Sequence, residues 1–153
     1  MIIAEMVHGL DGLDIQYKIR DEVFTEEQGI SEEISHDEYD PICHHVIVFE
    51  DKVPIGTGRI INIEQKNALL IGRIAVLKSY RGQGIGDLIV RKLVCYGFDQ
   101  GVERVEVHSQ LYAIDFYKKI GFETYGSIYK ESGLDHISMY IKQDMFKKPC
   151  NHQ

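Results

Sequence analysis

The strongest constraint on the fold is a change of period between residues 69 and 96. Leu69 to Leu77 is apolar almost throughout, the pattern of a strand covered on both faces. From Ile85 the apolar residues fall at Ile85, Leu88, Ile89, Leu93 and Tyr96, one stripe of an amphipathic helix. Lys78-Ser79-Tyr80 and then Arg81-Gly82-Gln83-Gly84-Ile85-Gly86 join the two. A strand that enters a helix through glycines brings the first turn's unpaired amides to the end of a sheet, with no side chains to keep a ligand away. Those amides and the positive end of the helix dipole stabilise an oxygen-rich anion such as a pyrophosphate. Lys78 and Arg81 stand beside the loop to add charge-assisted bonds.

Two better-known phosphate loops are excluded. No Gly-Lys-Ser/Thr follows at the spacing of a Walker A loop. The glycines at 82, 84 and 86 lack the G-x-G-x-x-G spacing of a dinucleotide fingerprint, and no βαβ unit opens the chain.

The flanking patterns predict strands at Ile2–Val7, His44–Glu50 and Ile55–Ile63, with tight turns at Asp51-Lys52 and Gln65-Lys66-Asn67. With Leu69–Leu77, the last two form an antiparallel meander. Leu13, Tyr17, Arg20 and Phe24 space a helix over Gly12–Gln28. After the central helix, Val102–His108 alternates as a half-buried strand, Tyr112–Ile120 is a short helix closed by Gly121, and strands begin at Phe122–Tyr125 and Ile137–Ile141. The fold class is α/β (α+β): a mixed sheet built from an antiparallel meander followed by β-α-β, with the anion loop at the start of the central helix. Length sets one domain over residues 1–153, with no repeat, linker or low-complexity segment.

Net charge is −7, unevenly spread. Asp21 to Asp40 holds nine acidic residues and no Lys or Arg, which suits either a solvated face or a cationic acceptor. Arg73 to Lys92 carries five basic residues against Asp87 alone. That excess is too small for nucleic acid and fits a compact phosphorylated ligand. No apolar run reaches a membrane span and no secretory signal is visible. The three cysteines, Cys43, Cys95 and Cys150, form no C-x-x-C pair, which argues against a disulfide framework and for the cytoplasm. Cys43-His44-His45 is no metal site, because neighbours on a strand face opposite ways. Cys95 reads as helix packing. His108 either contacts substrate or is a hydrogen-bonded strand-end residue. Arg59 and Arg73 either bind an acidic part of a substrate or pair with the acidic stretch.

The run Ile71 to Gly86 resembles the acyl-CoA site of the GNAT N-acetyltransferase superfamily, whose pattern Gln/Arg-x-x-Gly-x-Gly/Ala is matched by Arg81, Gly84 and Gly86. A second family motif follows in Gln110-x-x-Ala113-x-x-Phe116-Tyr117-x-x-x-Gly121-Phe122, with Gln110 where the family commonly has Asn. The N-terminal third, Arg20-x-x-Val23-Phe24-x-x-Glu27-Gln28 followed by Asp37, Asp40 and His45, is similar to the ElaA-like and YjcF-like branch.

The resemblance implies an N-acetyltransferase that uses acetyl-CoA as co-substrate, without a metal, by direct attack of an amine in a ternary complex. It implies that Ile74, Ala75 and Val76 offer backbone groups to the pantetheine arm, one N–H polarising the thioester carbonyl. Arg81, Gly82, Gln83, Gly84, Ile85 and Gly86 would hold the pyrophosphate, and Gln110 would contact the pantetheine. Tyr117 stands in the place of the general acid that protonates the departing thiolate; tyrosine and thiol have reference pKa values of about 10 and 8.5. Glu27 and Glu64 are the candidates for general base. The acceptor is a small-molecule or protein amine, with a homodimer as the expected assembly and no nucleic acid or membrane partner. The competing function is a non-catalytic acyl-CoA sensor, which has no need of an acid beside the thiol.

Overall fold

The computed structural model of the protein describes residues 1–63 and 66–147. The predicted meander is present as β2 (His44–Glu50), β3 (Val53–Ile63) and β4 (Ala68–Val76), and the first strand, β1 (Ile2–His8), adds antiparallel to β2. The turn between β2 and β3 places Asp51 and Lys52 at φ 48° and 73°, a pair of left-handed residues whose twist matches that of the strands. The central helix α3 (Ile85–Asp99) crosses to β5 (Arg104–Gln110), which pairs parallel to β4. α4 (Ile114–Ile120) leads into a hairpin of β6 (Glu123–Glu131) and β7 (Leu134–Lys142), and β7 inserts between β5 and β6. The result is one seven-stranded mixed sheet, ordered β1-β2-β3-β4-β5-β7-β6. The hairpin runs several residues beyond each predicted strand because Ser132 and Gly133, at φ 52° and 78°, make another tight turn.

Two helical layers cover the sheet. α3 buries Ile85, Ile89 and Leu93 against Ile55, Ile60 and Ile71. Its close approach requires a missing side chain in β3: a Cβ at Gly58 would stand 2.7 Å from Ile89 Cγ2 and 2.8 Å from Ile74 Cδ1. Ala75 instead packs with Ile19 and Val23, while Ile74 and Val76 join the α3 side. Since neighbouring strand residues face opposite ways, the N-terminal helix lies on the other face of β4. That helix is α1 (Asp14–Arg20), continued without a break by a π-helical stretch, Asp21–Glu27, and followed by the short α2 (Glu32–Ser35). Cys95 is half-buried against the α3 core, as expected, but is also disulfide-bonded, which the cysteine pattern did not suggest. Among the described residues, no helix is long and apolar enough to cross a membrane.

The sheet opens beside β4. β4 and β5 pair only from Ala68 with Arg104 to Ile71 with Val107, although β4 runs on to Val76 and β5 to Gln110. On its other side β4 carries one extra residue: Thr57 and Arg59 of β3 face Ala75 and Gly72, a bulge that leaves Arg73 at φ 52°. The Leu77 N–H donates to the Ile55 carbonyl on the β3 side at 2.9 Å. Strand alternation therefore turns the backbone groups of Val76 and Ile74 the other way, into the gap.

Candidate active site

The gap continues into a groove of about 660 Å³ lined by Ile74, Ala75, Val76, Tyr80, Arg81, Gly82, Gly84, Ile85 and Gly86, together with Tyr112, Phe116 and Lys119. Gly84 is the cap residue of α3 at φ 80°, the left-handed region that glycine adopts without strain, and Gly82 is at φ 78°. A Cβ at Gly82 or Gly84 would meet nothing within 4 Å, so the loop is open on its ligand side. The Arg81 guanidinium donates from Nε to the Val76 carbonyl at 2.9 Å and from Nη2 to Glu27 at 2.8–2.9 Å. These bonds tie the loop to the end of β4 and to the π-helical stretch. Gln83 is exposed and lines no part of the groove. Lys78 is also exposed and outside it, and Lys119, from the last turn of α4, takes the place expected for a second cation.

A second, smaller cleft of about 190 Å³ adjoins the groove, and Gln28, Ile74 and Tyr112 line both. Its walls come from the β4 bulge (Gly72, Arg73), the end of β5 (His108, Ser109, Gln110), the β6–β7 hairpin (Glu131, Ser132, His136) and the N-terminal helical segment (Phe24, Ile30, Ile34, Ser35). Tyr117 of α4 also lines it, 8 % exposed, with its ring edge-on to Phe116 and Phe122. Burial, helped by Tyr112, lifts the Tyr117 phenol well above its ordinary range, so the hydroxyl keeps its proton at neutral pH. Gln110 opens on this cleft, not on the phosphate end of the groove. Ser35 Oγ is buried without a hydrogen-bond partner among the described residues, and Ser35 lines the cleft.

The sheet thus splays beside a bulged strand, with a glycine loop at that strand's end and a second cleft adjoining the groove. The model of the acetyltransferase (GNAT) family matches residues 13–122, which span both helical layers, the loop and α4. The chain belongs to the GNAT acetyltransferase family. A Bacillus subtilis (strain 168) protein named as an acetyltransferase is 36% identical over 135 residues, covering 86% of this chain and 90% of that one. The N-acetyltransferase YjcF of the same organism is 32% identical over 124 residues, covering 80% and 87%. The crystal structure of Escherichia coli ElaA superposes with a TM-score of 0.81 at 23% identity, over 92% of this chain and 99% of that one.

Within this GNAT fold, Arg20, Arg59, Arg73, Asp37 and Asp40 form a charge network, largely buried. Arg20, fully buried, bonds Asp40 at 2.8 and 3.0 Å in a two-pronged pair and donates to the Ser35 carbonyl. Arg59 reaches Asp40 at 2.9 Å and Asp37 at 2.5 and 2.7 Å. Arg73, from the bulge, bonds Asp37 at 3.1 Å and the carbonyls of Ser35 and Ile34 at 3.0 and 3.1 Å. His45 Nε2 lies 2.9 Å from the Asp40 carbonyl oxygen, and His44 Nδ1 lies 2.9 Å from the Tyr96 hydroxyl. Of the alternatives that the sequence left for Arg59 and Arg73, the structure shows pairing with the acidic stretch. Burial pushes the Asp40 carboxyl up, but the bonds from Arg20, the Asp37 N–H and the Arg59 charge outweigh it and hold it well below the usual range. The acidic stretch is thus partly turned inward: Asp37 and Asp40 neutralise guanidiniums and do not meet an acceptor.

Of the two sequence candidates for general base, Glu27 has both carboxylate oxygens on Arg81 and lines neither cavity, while Glu64 lies outside the described residues. No metal-holding group of His, Cys, Asp and Glu occurs among the described residues. Sequence reasoning missed Tyr112, Lys119, Glu131, Ser132 and His136. For the last three the signal was present: Ser132-Gly133 between alternating strands marks a hairpin whose tip projects beyond the sheet.

Proposed function

We propose that this GNAT protein transfers an acetyl group from acetyl-CoA to a primary amine by direct attack in a ternary complex. The observation that carries this reading is the junction of the two cavities. The open edge of β4 leads from the phosphate loop to Ile74, where the cleft containing Tyr117 begins. A pantetheine arm carries amides and can pair with the backbone of Ile74 and the Val76 N–H as a strand would, the Val76 carbonyl being held by Arg81. Its pyrophosphate then falls at the first turn of α3 beside Arg81 and Lys119. The thioester comes to rest at the junction, where an N–H of the bulged strand can stabilise the oxyanion that forms on attack.

In this reading Tyr117, which lines the cleft at that junction, protonates the departing sulfur. With its pKa raised by burial, it is a weaker acid than a free phenol, so it hands over its proton only as that proton is replaced. Glu27 acts in this reading through Arg81, as its anchor. The test is thiol release from acetyl-CoA with 2-phenylethylamine, putrescine and ethanolamine as probe amines, alongside CoA binding by calorimetry. Tyr117→Phe should lower kcat by about 10²-fold or more with CoA affinity unchanged. CoA binding without turnover of any probe amine would instead favour the sensor, and full turnover by Tyr117→Phe would remove the acid assignment.

A further inference from the structure

The acceptor side of the cleft holds a pair that no assigned role uses. His108, at the end of β5, places Nδ1 3.2 Å from Glu131 Oε1 at the tip of the β6–β7 hairpin, and both side chains line the cleft that contains Tyr117. We propose that His108, held by Glu131, is the general base that deprotonates the acceptor amine. This rests on the acetyl-transfer reading above.

The assignment follows from elimination as well as from placement. A base must reach the acceptor, and among the described residues Glu131 is the one carboxylate in the cleft's lining. Asp37 and Asp40 are held by three guanidiniums, and Glu27 is held by Arg81 outside the cleft. His108 is 37% exposed, so an acceptor can reach it. With Nδ1–H donating to Glu131, the lone pair is on Nε2, for which the structure shows no bond to a described residue. The second carboxylate oxygen of Glu131 is 3.5 Å from His136 Nε2, and His136 Nδ1 is 2.9 Å from the Leu134 carbonyl oxygen. The hydrogen bond to Glu131 fixes the His108 ring, which also packs edge-to-face with Tyr129 at 5.9 Å between ring centres.

The protons balance. The acceptor's ammonium gives one proton to His108 Nε2, and the freed lone pair attacks the thioester carbonyl carbon. The C–N bond forms and the C–S bond breaks. The sulfur takes the Tyr117 proton, and the nitrogen's second proton returns to the Tyr117 oxygen. His108 releases its proton to solvent, so ammonium and thioester yield amide, thiol and one proton. Glu131 is a positioning residue in this scheme.

The charged and titratable groups facing His108 are Glu131, His136 and Tyr129 from the hairpin, Arg73 from β4, and Tyr112 and Tyr117 from the α4 side. The experiment measures thiol release with acetyl-CoA and the three probe amines from about pH 5.5 to 9.5, with CoA affinity by calorimetry, for wild type, His108→Gln and Glu131→Gln. His108→Gln should lose about 10²–10⁴-fold in kcat and lose the acidic limb of the profile, with CoA affinity intact. Glu131→Gln removes the negative partner, so the limb should move to lower pH, a change that a merely structural role would not produce. Retained rate and limb in His108→Gln would overturn the inference while leaving acetyl transfer standing. A wild type that turns over none of the amines would overturn the transfer reading itself, and the base with it. Nitrogen NMR of the His108 ring is independent of turnover: the proton is expected on Nδ1, and finding the neutral ring protonated on Nε2 would also overturn the proposal.

Discussion

At the scale of single residues, the donor side depends on Gly84. Its φ of 80° caps α3, and no atom lies within 4 Å of the position its Cβ would take. Gly84→Ala should therefore lose only about 1–2 kcal/mol of stability to left-handed backbone strain, as read by urea unfolding. Gly84→Glu sets a carboxylate against the phosphates, and its CoA Kd should rise more than about hundredfold by calorimetry, a loss of about 3 kcal/mol. Cys43 illustrates the opposite case of a conspicuous residue without chemistry. Burial pushes its thiol up to about 11, so it stays a thiol beside His45 and is no nucleophile.

At the scale of elements, the network of Arg20, Arg59, Arg73, Asp37 and Asp40 joins the N-terminal helices to the β4 bulge. Removing one member leaves a buried charge unmatched, so Asp40→Asn should cost about 3–5 kcal/mol by urea unfolding at neutral pH. Asp37 and Asp40 are both held below their ordinary pKa, by Arg59 and Arg20 respectively acting against desolvation. A carboxylate lowered in the folded state stabilises it above the unfolded pKa and loses that contribution as pH falls through the folded one. The urea midpoint should therefore be insensitive to these groups near neutrality and should fall below about pH 4, less steeply in Asp37→Asn. The elements also show what a sequence can reveal. The β4–loop–α3 unit was legible because its period, glycines and cations lie within one short run. The proposed acceptor side was not, because His108 and Glu131 come from separate strands that only the sheet order brings together. For the same reason the acidic stretch read as a face for solvent or a cationic partner: its guanidinium partners Arg59 and Arg73 lie some twenty to forty residues further along.

At the scale of the whole molecule, ligand binding should couple to global stability, since the groove is walled by both helical layers and by the sheet between them. CoA at about a hundred times its Kd contributes roughly 2.7 kcal/mol to the folded state, or a rise in Tm of about 5–10 °C for a chain of this size. Thermal unfolding should show that rise in wild type and in Tyr117→Phe but not in Gly84→Glu. The splay of β4 from β5 has a further consequence, for solubility. An unpaired strand edge ordinarily recruits strands from other copies and seeds aggregation. Here the open stretch of β4 is short, interrupted by the Arg73 bulge and enclosed between neighbouring strands rather than placed at the rim of the sheet. A foreign strand, straight and bearing side chains on both faces, cannot register with it. The irregularity that would set the thioester's place in the proposed reaction thus also lets the protein keep backbone groups free in the middle of a sheet without becoming sticky towards its own kind.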